Sequence, residues 1–322
     1  MSGTWGLRRR RSPVDEQRVE PSGGPSGGPS GTLGGEPPRI AVLTITRDEG
    51  EMLARWVDHY GQQVGRENLI VFDDGSTDGS TDDLPCTVQR LPGFRKGNFE
   101  AGRMSLASGV ARGLLGVYDW VVFTDVDEFL IPDPAIYADL PDYLARRRED
   151  VLAPYALNVV HHTAVEGPLI SGKPILGQRA YAKFAPLMCK PSIKRVSASW
   201  TCASHGIRAP YQPDPGLFML HMKFADLDVL QRQADLRNQL ALTVGRGKGS
   251  SWGRSGDDLA TLLTQVTRSV SADVAVFDPT AIVPAKLVRE EDGVHRAAGR
   301  GHIDNLQAQP LVRIPERLHG IV

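Results

Sequence analysis

Short β-branched apolar runs alternate with stretches of helical spacing from Ile40 to Phe123, and that alternation limits the chain to very few folds. Ile40–Thr46 and Leu69–Phe72 read as strands, and Glu51–Gln63 between them reads as a helix. Met52, Leu53, Trp56, Val57 and Tyr60 recur at intervals of three and four, which gives that helix one apolar stripe to lay on a sheet. A strand at Thr87–Leu91, a helix at Phe99–Leu115 and a strand at Trp120–Phe123 continue the series. The expectation is an α/β fold, Rossmann-like, with a mostly parallel central sheet flanked by helices. After Pro132 the pattern predicts strands near Ala156–Val160, Ala180–Phe184 and Leu217–Phe224, then helices near Asp226–Thr243 and Asp257–Ser271. From Asp278 onward Pro, Arg and Gly dominate, and the segment is expected either to wrap the domain or to be partly disordered.

Of 322 residues, 41% are hydrophobic, enough for one substantial core and an appendage. The formal net charge of −1 provides no global field for nucleic acid, which is excluded as a partner. Cys86, Cys189 and Cys202 form no CxxC pair and read as ordinary thiols of a reducing compartment. Arg8–Arg11 precede no apolar stretch of the kind an export signal needs, and no window is long enough to span a bilayer. A cytoplasmic location is expected, with peripheral membrane contact left open. Residues 1–38, rich in Pro, Gly and Ser, are expected to be a disordered tail; 39–245 are expected to form the catalytic domain and 246–322 a helical or irregular extension.

In an open parallel sheet, ligands bind beyond the carboxyl ends of the strands. Acidic clusters stand at three such ends: Thr46-Arg47-Asp48-Glu49, Asp73-Asp74-Gly75-Ser76, and Asp125-Val126-Asp127-Glu128. Two carboxylates at a strand end can share a hard divalent cation with substrate phosphates. A D-x-D triplet alone carries little weight, because about one is expected by chance in such a chain, and Asp226-Leu227-Asp228 is a second case at a helix start. Position after the apolar run Trp120–Phe123 distinguishes Asp125 and Asp127. Asp73 and Asp74 fit turn chemistry as well as ligand binding, and two adjacent carboxylates are easier to tolerate where one meets a ribose or base.

TRDEGEMLARWVDHY, LIVFDDGSTDGS and DWVVFTDVDEFL together resemble the family-2-like glycosyltransferases of GT-A fold, over about Ile40 to Leu130. GQRAYAKF, MCKPSIKR, Ser204-His205-Gly206 and LHMKF are similar, more weakly, to the branch with a D-x-D-E-F motif. The resemblance implies that Thr44, Thr46, Arg47 and Glu49 line a nucleotide site, that Asp74 meets base or ribose, and that Asp125 and Asp127 hold a metal, Mn²⁺ or Mg²⁺. Arg47-Asp48 stands where such enzymes often show Lys-Asn. The implied activity is inverting, metal-assisted transfer of a hexose from a nucleotide-diphosphate-sugar, UDP-sugar favoured, to a glycan, lipid or small-molecule hydroxyl.

Lys190, Lys194 and Arg195 form a cationic group suited to a diphosphate leaving group or to a solvated face. Arg103, ahead of the D-x-D strand, faces either phosphate or solvent. His205 and His221 are candidate metal ligands, His221 the stronger because a polar ring interrupts the apolar run Leu217–Leu220. Glu128 and Glu166 are the candidate catalytic bases, with His161 and His162 close to Glu166 in sequence. Gly245–Ser250 lacks the Walker spacing and reads as a connector or a closing loop. The competing readings are a nucleotidyltransferase, which would usually carry a Gly-rich loop after its first strand, and a non-catalytic nucleotide-sugar-binding protein.

Overall fold

The first strand, β1 (Ile40–Thr46), divides its side chains by the two-residue period of a pleated strand. Ile40 and Val42 join one buried cluster with Leu53, Trp56, Val57 and Tyr60 of α1 (Gly50–Val64). Ala41, Leu43 and Ile45 join another with Met104, Ala107 and Ala111 of α2 (Phe99–Leu114). A strand apolar on both faces must be sandwiched between helices, which places β1 at the centre of the sheet. β2 (Leu69–Asp73) and β4 (Trp120–Phe123) pair with it in parallel on either side, and β3 (Thr87–Arg90) extends the parallel order beyond β2. Burial of each large apolar side chain here contributes about 1.5–3 kcal/mol.

The computed structural model describes residues 36–94, 99–201, 203–244, 254–268, 273–299 and 301–322. The tail through residue 35, Cys202 and the Gly245–Ser250 loop lie outside them, as does the boundary expected at 245/246.

Past β4 the sheet takes up further strands, of which those near Ala156–Val160, Ala180–Phe184 and Leu217–Phe224 were expected from the sequence and the shorter ones were not. β5 (Glu128–Pro132) follows the D-x-D turn, and the short α3 (Leu140–Ala145) leads into β6 (Val151–Val160), which is buried throughout. β7 (Tyr181–Phe184) and β8 (Ile193–Lys194) flank β6 in antiparallel order, and β8 joins it to β4. β9 (Trp200–Thr201) and β10 (Gly206–Ile207) begin a separate small sheet. β11 (Gln212–Phe224) runs parallel to β6 and antiparallel to β5. The result is an α/β, Rossmann-like architecture in which helices flank a mostly parallel central sheet.

Helices α4 (Leu227–Val244) and α5 (Gly256–Arg268) form a third apolar cluster with the chain's end, through Leu230, Leu259, Leu263, Ile303 and Leu306. The stretch after Asp278 packs rather than trailing away. β12 (Val288–Glu291) and β13 (Val294–Ala297) complete the small sheet beside β10, α6 (His302–Ala308) docks on the domain, and β14 (Leu311–Arg313) pairs with β7. Gly299 lies so close to Leu187 that a Cβ would sit 2.7 Å from its backbone nitrogen, so only glycine allows this approach. Arg317 clasps Asp133 with two hydrogen bonds of 2.7 and 2.9 Å. Pro37–Val322 is one compact unit. No helix among the described residues is long and apolar enough to cross a membrane.

Candidate functional site

The carboxyl ends of β1, β2 and β4 open on a cavity of about 360 Å³. Its acidic wall is the turn from Asp125 to Glu128, which the surrounding packing holds in place. Trp56 donates its indole N–H to Thr124 (2.9 Å), Tyr60 donates to the Glu128 carbonyl (2.9 Å) and accepts from the Leu130 N–H (3.0 Å), and the Met222 N–H reaches the Asp127 carbonyl (2.8 Å). The apolar stripe of α1 therefore both builds the core and sets the turn.

Opposite the turn, register places His221 of β11 beside Glu128 of β5 and Asn158 of β6. The His221 Nδ1 sits 2.7 Å from Asn158 Oδ1, so with that amide orientation Nδ1 donates, and Nε2 lies 3.4 Å from Asp127 Oδ2. A divalent cation would fit between these two atoms, since cis ligands at about 2.1 Å from an ion lie about 3 Å apart. Ligand atoms of Asp127, Glu128 and His221 all fall within 4.8 Å of each other. Burial alone would raise the Asp127 carboxyl, but His221, Arg237 and Lys223 outweigh it and hold Asp127 below the ordinary carboxylate range, ionised and ready to ligate.

Asp125 also lines the cavity, but it does not belong to that close group: its carboxylate is drawn to Arg103 of α2 and lies 3.9 Å from the Lys190 ammonium. Glu128 is buried and forms a 2.7 Å ion pair with Lys190, while its other oxygen accepts from the Asp125 N–H (3.1 Å). It braces the turn. Lys190 is nearly inaccessible and also donates to Ser204 (2.9 Å).

The first two strand ends are laced together. Asp48 takes a left-handed backbone (φ 53°), which aspartate tolerates, and accepts from the Thr77 N–H (2.6 Å) and the Asp78 N–H (3.2 Å). Arg47 lies 3.4 Å from the Asp48 carboxylate and donates to the Asp74 carbonyl. The negative charge of Asp48, which also lines the cavity, is thus spent on Arg47 and on the N–H groups of the β2 loop. Asp73 and Asp74 diverge: Asp73 is fully buried and bonded to Ser76, Thr81 and Arg90, whereas Asp74 lines the cavity and accepts from the Phe94 N–H (3.2 Å).

Thr46, Arg47, Glu49, Asp74, Arg103 and Lys190 line the cavity, as do Asp127, His205 and His221. Other expected residues stand elsewhere. Thr44 is wholly buried within β1. Lys194 donates to the Ala198 carbonyl (2.6 Å) and packs over the Trp200 ring, and Arg195 pairs with Asp150 at the surface, so the expected cationic trio contributes Lys190 alone. Glu166 is held by the His162 and Ala180 N–H groups (2.8 and 2.7 Å) and by Arg179; it orders a loop away from the cavity and no base is available there. His161 likewise bonds to the Glu166 carbonyl.

Lys223 of β11, Gln233 and Arg237 of α4, and His302 of α6 also line the cavity, with no role assigned to them from the sequence. Spacing on β11 offered a hint of Lys223, two residues after His221. The His302 ring lies 5.7 Å from that of His221 and 5.9 Å from that of His205, and burial holds it neutral, well below the ordinary histidine range.

Glu49 is pinned from α4 by Gln233 (2.7 Å) and Arg237 (3.5 Å). Burial raises its carboxyl to about 7 against the pull of Arg237, with the Asp127 charge adding to the rise. A carboxyl raised on folding favours the native state below its unfolded pKa, and that contribution is lost as pH climbs through the folded value. Glu49→Gln is therefore expected to match the parent in melting temperature near pH 4.5 and to exceed it increasingly up to pH 8. A constant difference across that range would show that Glu49 is not a buried carboxyl in the native state.

No protein-family model matches the chain, and no curated protein matches it significantly. Solved structures similar to it include a mannosyltransferase from Pyrobaculum calidifontis in complex with GDP-Man and Mn²⁺ (22% identity over 39% of this chain and 36% of that one, TM-score 0.27). Others are S. aureus TarS (12% identity, 73% and 44% covered, TM-score 0.33) and a mannose-1-phosphate geranyltransferase from Thermus thermophilus (12%, 72% and 65%, TM-score 0.26). The matched region is less than two thirds of each neighbour's length. Likenesses this weak transfer no activity.

Proposed function

We propose that this chain is a metal-assisted glycosyltransferase that takes a nucleotide-diphosphate-sugar, UDP-sugar favoured, as donor and passes the sugar to an acceptor hydroxyl with inversion. The observation that carries the reading is the convergence of Asp127, Glu128 and His221 on one point of a cavity at the carboxyl ends of the parallel strands. These residues would hold Mn²⁺ or Mg²⁺, which supplies charge compensation for the diphosphate when bound. Asp74, which lines the cavity just past β2, would meet ribose or base. Arg103 and Lys190 neutralise the Asp125 side and turn positive charge toward the cavity. In the transfer, the acceptor hydroxyl oxygen would bond to the anomeric carbon as the bond from that carbon to the phosphate oxygen breaks, the electron pair leaving with the nucleoside diphosphate and the hydroxyl proton passing to water in the cavity. Of the two expected bases, Glu128 reaches the cavity, but its ion pair with Lys190 suits it to bracing the site rather than to proton transfer.

The nucleotidyltransferase alternative has less support. After β1 the chain carries Thr46-Arg47-Asp48-Glu49, whose Asp48 locks the loop to the β2 end. A Gly-rich phosphate cradle is absent from that position.

The test is a melting-temperature screen of nucleoside diphosphates and nucleotide-sugars with and without Mn²⁺. A ligand at about 100 times its Kd stabilises by about 2.7 kcal/mol, and the rise is expected only where metal is present. Asp74→Ala should retain the parent's unliganded melting temperature and bind the best nucleotide about 10- to 100-fold more weakly by calorimetry, the loss expected for a hydrogen bond to a charged group. A screen in which no nucleotide raises the melting temperature would sink the reading.

A further inference from the structure

Five cationic side chains line the cavity, and four are matched by carboxylates: Arg47 by Asp48, Arg103 by Asp125, Lys190 by Glu128 and Arg237 by Glu49. Lys223 is different. Among the described residues its ammonium makes no hydrogen bond and no ion pair within 4 Å; it lies 5.7 Å from the Phe224 ring centroid and meets the Asp127 and Glu49 charges only at longer range. A charge drawn from water without a close partner is unfavourable, and an anion bound in the cavity would supply that partner.

The backbone offers a second, independent observation. Along the β6–β11 ladder His221 faces Asn158, but Phe224 faces Val160, so β11 carries one extra residue between those points. The Met222 N–H of this bulge is tied to the Asp127 carbonyl (2.8 Å), which fixes the irregularity against the acidic turn. A bulge interrupts strand alternation and re-aims a side chain, and such irregularities gather next to binding sites. His221 and Lys223, two residues apart and so on one face by strand alternation, both line the cavity in this stretch, and the irregularity separates them from buried Phe224. Strands rise about 3.4 Å per residue, so the His221 and Lys223 backbones lie within about 7 Å, a span that an anion extending from an ion at His221 can bridge.

We propose that Lys223 is a phosphate-binding residue of this cavity, its ammonium matched by a phosphate oxygen of the bound ligand. The inference deepens the nucleotide-sugar reading and rests on it for the source of the phosphate, which is either the donor diphosphate or a phosphate carried by the acceptor. Lysine serves such groups as a flexible point charge, and a metal beside it would share the same anion. The sequence offered Lys190, Lys194 and Arg195 for this task, and the fold directs the last two elsewhere.

Calorimetry in Mn²⁺ with uridine, guanosine, UDP, GDP and inorganic phosphate tests the proposal on the parent protein, Lys223→Met, Lys223→Gln and Lys223→Arg. Met keeps most of the stem that packs in the wall. With no native partner lost, Lys223→Met and Lys223→Gln should melt at or above the parent temperature. Both should bind the better diphosphate at least about 10-fold more weakly with nucleoside affinity unchanged, and Lys223→Arg should recover most of the loss. If diphosphate affinity is unchanged but inorganic phosphate binds the nucleotide-saturated parent and not Lys223→Met, the phosphate belongs to the acceptor and the residue's role stands. If the parent binds phosphate through Lys223 but no nucleotide, the anion site stands while the glycosyltransferase reading fails. Phosphate and diphosphate affinities that are the same in the parent and all three variants would overturn the proposal.

Discussion

Asp127→Asn is expected to lower metal-dependent release of nucleoside diphosphate by at least about 100-fold, while Asp228→Asn leaves most of it in place. Both changes remove one carboxylate at nearly constant volume from a D-x-D triplet, so the comparison separates context from motif. Asp127 sits 3.4 Å from the His221 imidazole in a group whose ligand atoms converge within 4.8 Å. Asp228 is in the first turn of α4, where the carboxylate that caps the helix is that of Asp226, accepting from the Val229 N–H (2.9 Å). There its charge contributes about 0.3–1 kcal/mol through the helix dipole. Turnover of the best donor is measured across Mn²⁺ and Mg²⁺ concentrations, with direct Mn²⁺ titration as a readout independent of turnover. Asp127→Asn should bind Mn²⁺ more weakly because an amide oxygen is a poorer ligand than a carboxylate. Full metal-dependent activity in this variant would remove the metal site and most of the case for the transferase.

The contrast also shows what a sequence can specify about this molecule. Strands β1, β2 and β4 and helix α1 were legible because their burial is periodic and local: each apolar residue of Ile40–Thr46 and each of Leu53, Trp56, Val57 and Tyr60 announces a face. The acidic clusters were legible as strand ends for the same reason. The partner that each charged group takes across the fold was not. Lys194 and Arg195 follow Lys190 closely in sequence, yet β8 turns them to Ala198 and Asp150, while Lys190 meets Glu128 from 62 positions away. Glu166 read as an available base because nothing local showed that the His162 and Ala180 N–H groups would consume it. His302 stood in a stretch without apolar rhythm. It reaches the cavity because β14 pairs with β7 and Gly299 permits close contact at Leu187, both consequences of long-range pairing.

Lys190→Met is expected to destabilise the metal-free protein by about 3–5 kcal/mol, an effect out of proportion to the loss of one side chain. The Lys190 and Glu128 side chains are each 2% exposed, with Nζ and Oε1 2.7 Å apart, and the Asp125 carboxylate lies 3.9 Å from the same ammonium. A buried pair of this kind adds little net stability while intact, because desolvation offsets attraction. Its loss is costly because Glu128 would be left charged and unmatched beside Asp125 and Asp127. Two further measurements separate this cause from simple loss of packing, to which Met comes close in volume. The double variant Lys190→Met, Glu128→Gln should recover a large part of the stability, since it removes the stranded charge along with its partner. Mn²⁺ should stabilise Lys190→Met more than it stabilises the parent, because a cation held by Asp127, Glu128 and His221 replaces the missing positive charge. Urea unfolding of the parent, Lys190→Met, Glu128→Gln and the double variant, with and without Mn²⁺, provides every term of the comparison. Loss below about 1 kcal/mol in Lys190→Met would mean that water already screens the pair, and that Glu128 is free to act in the cavity on its own account.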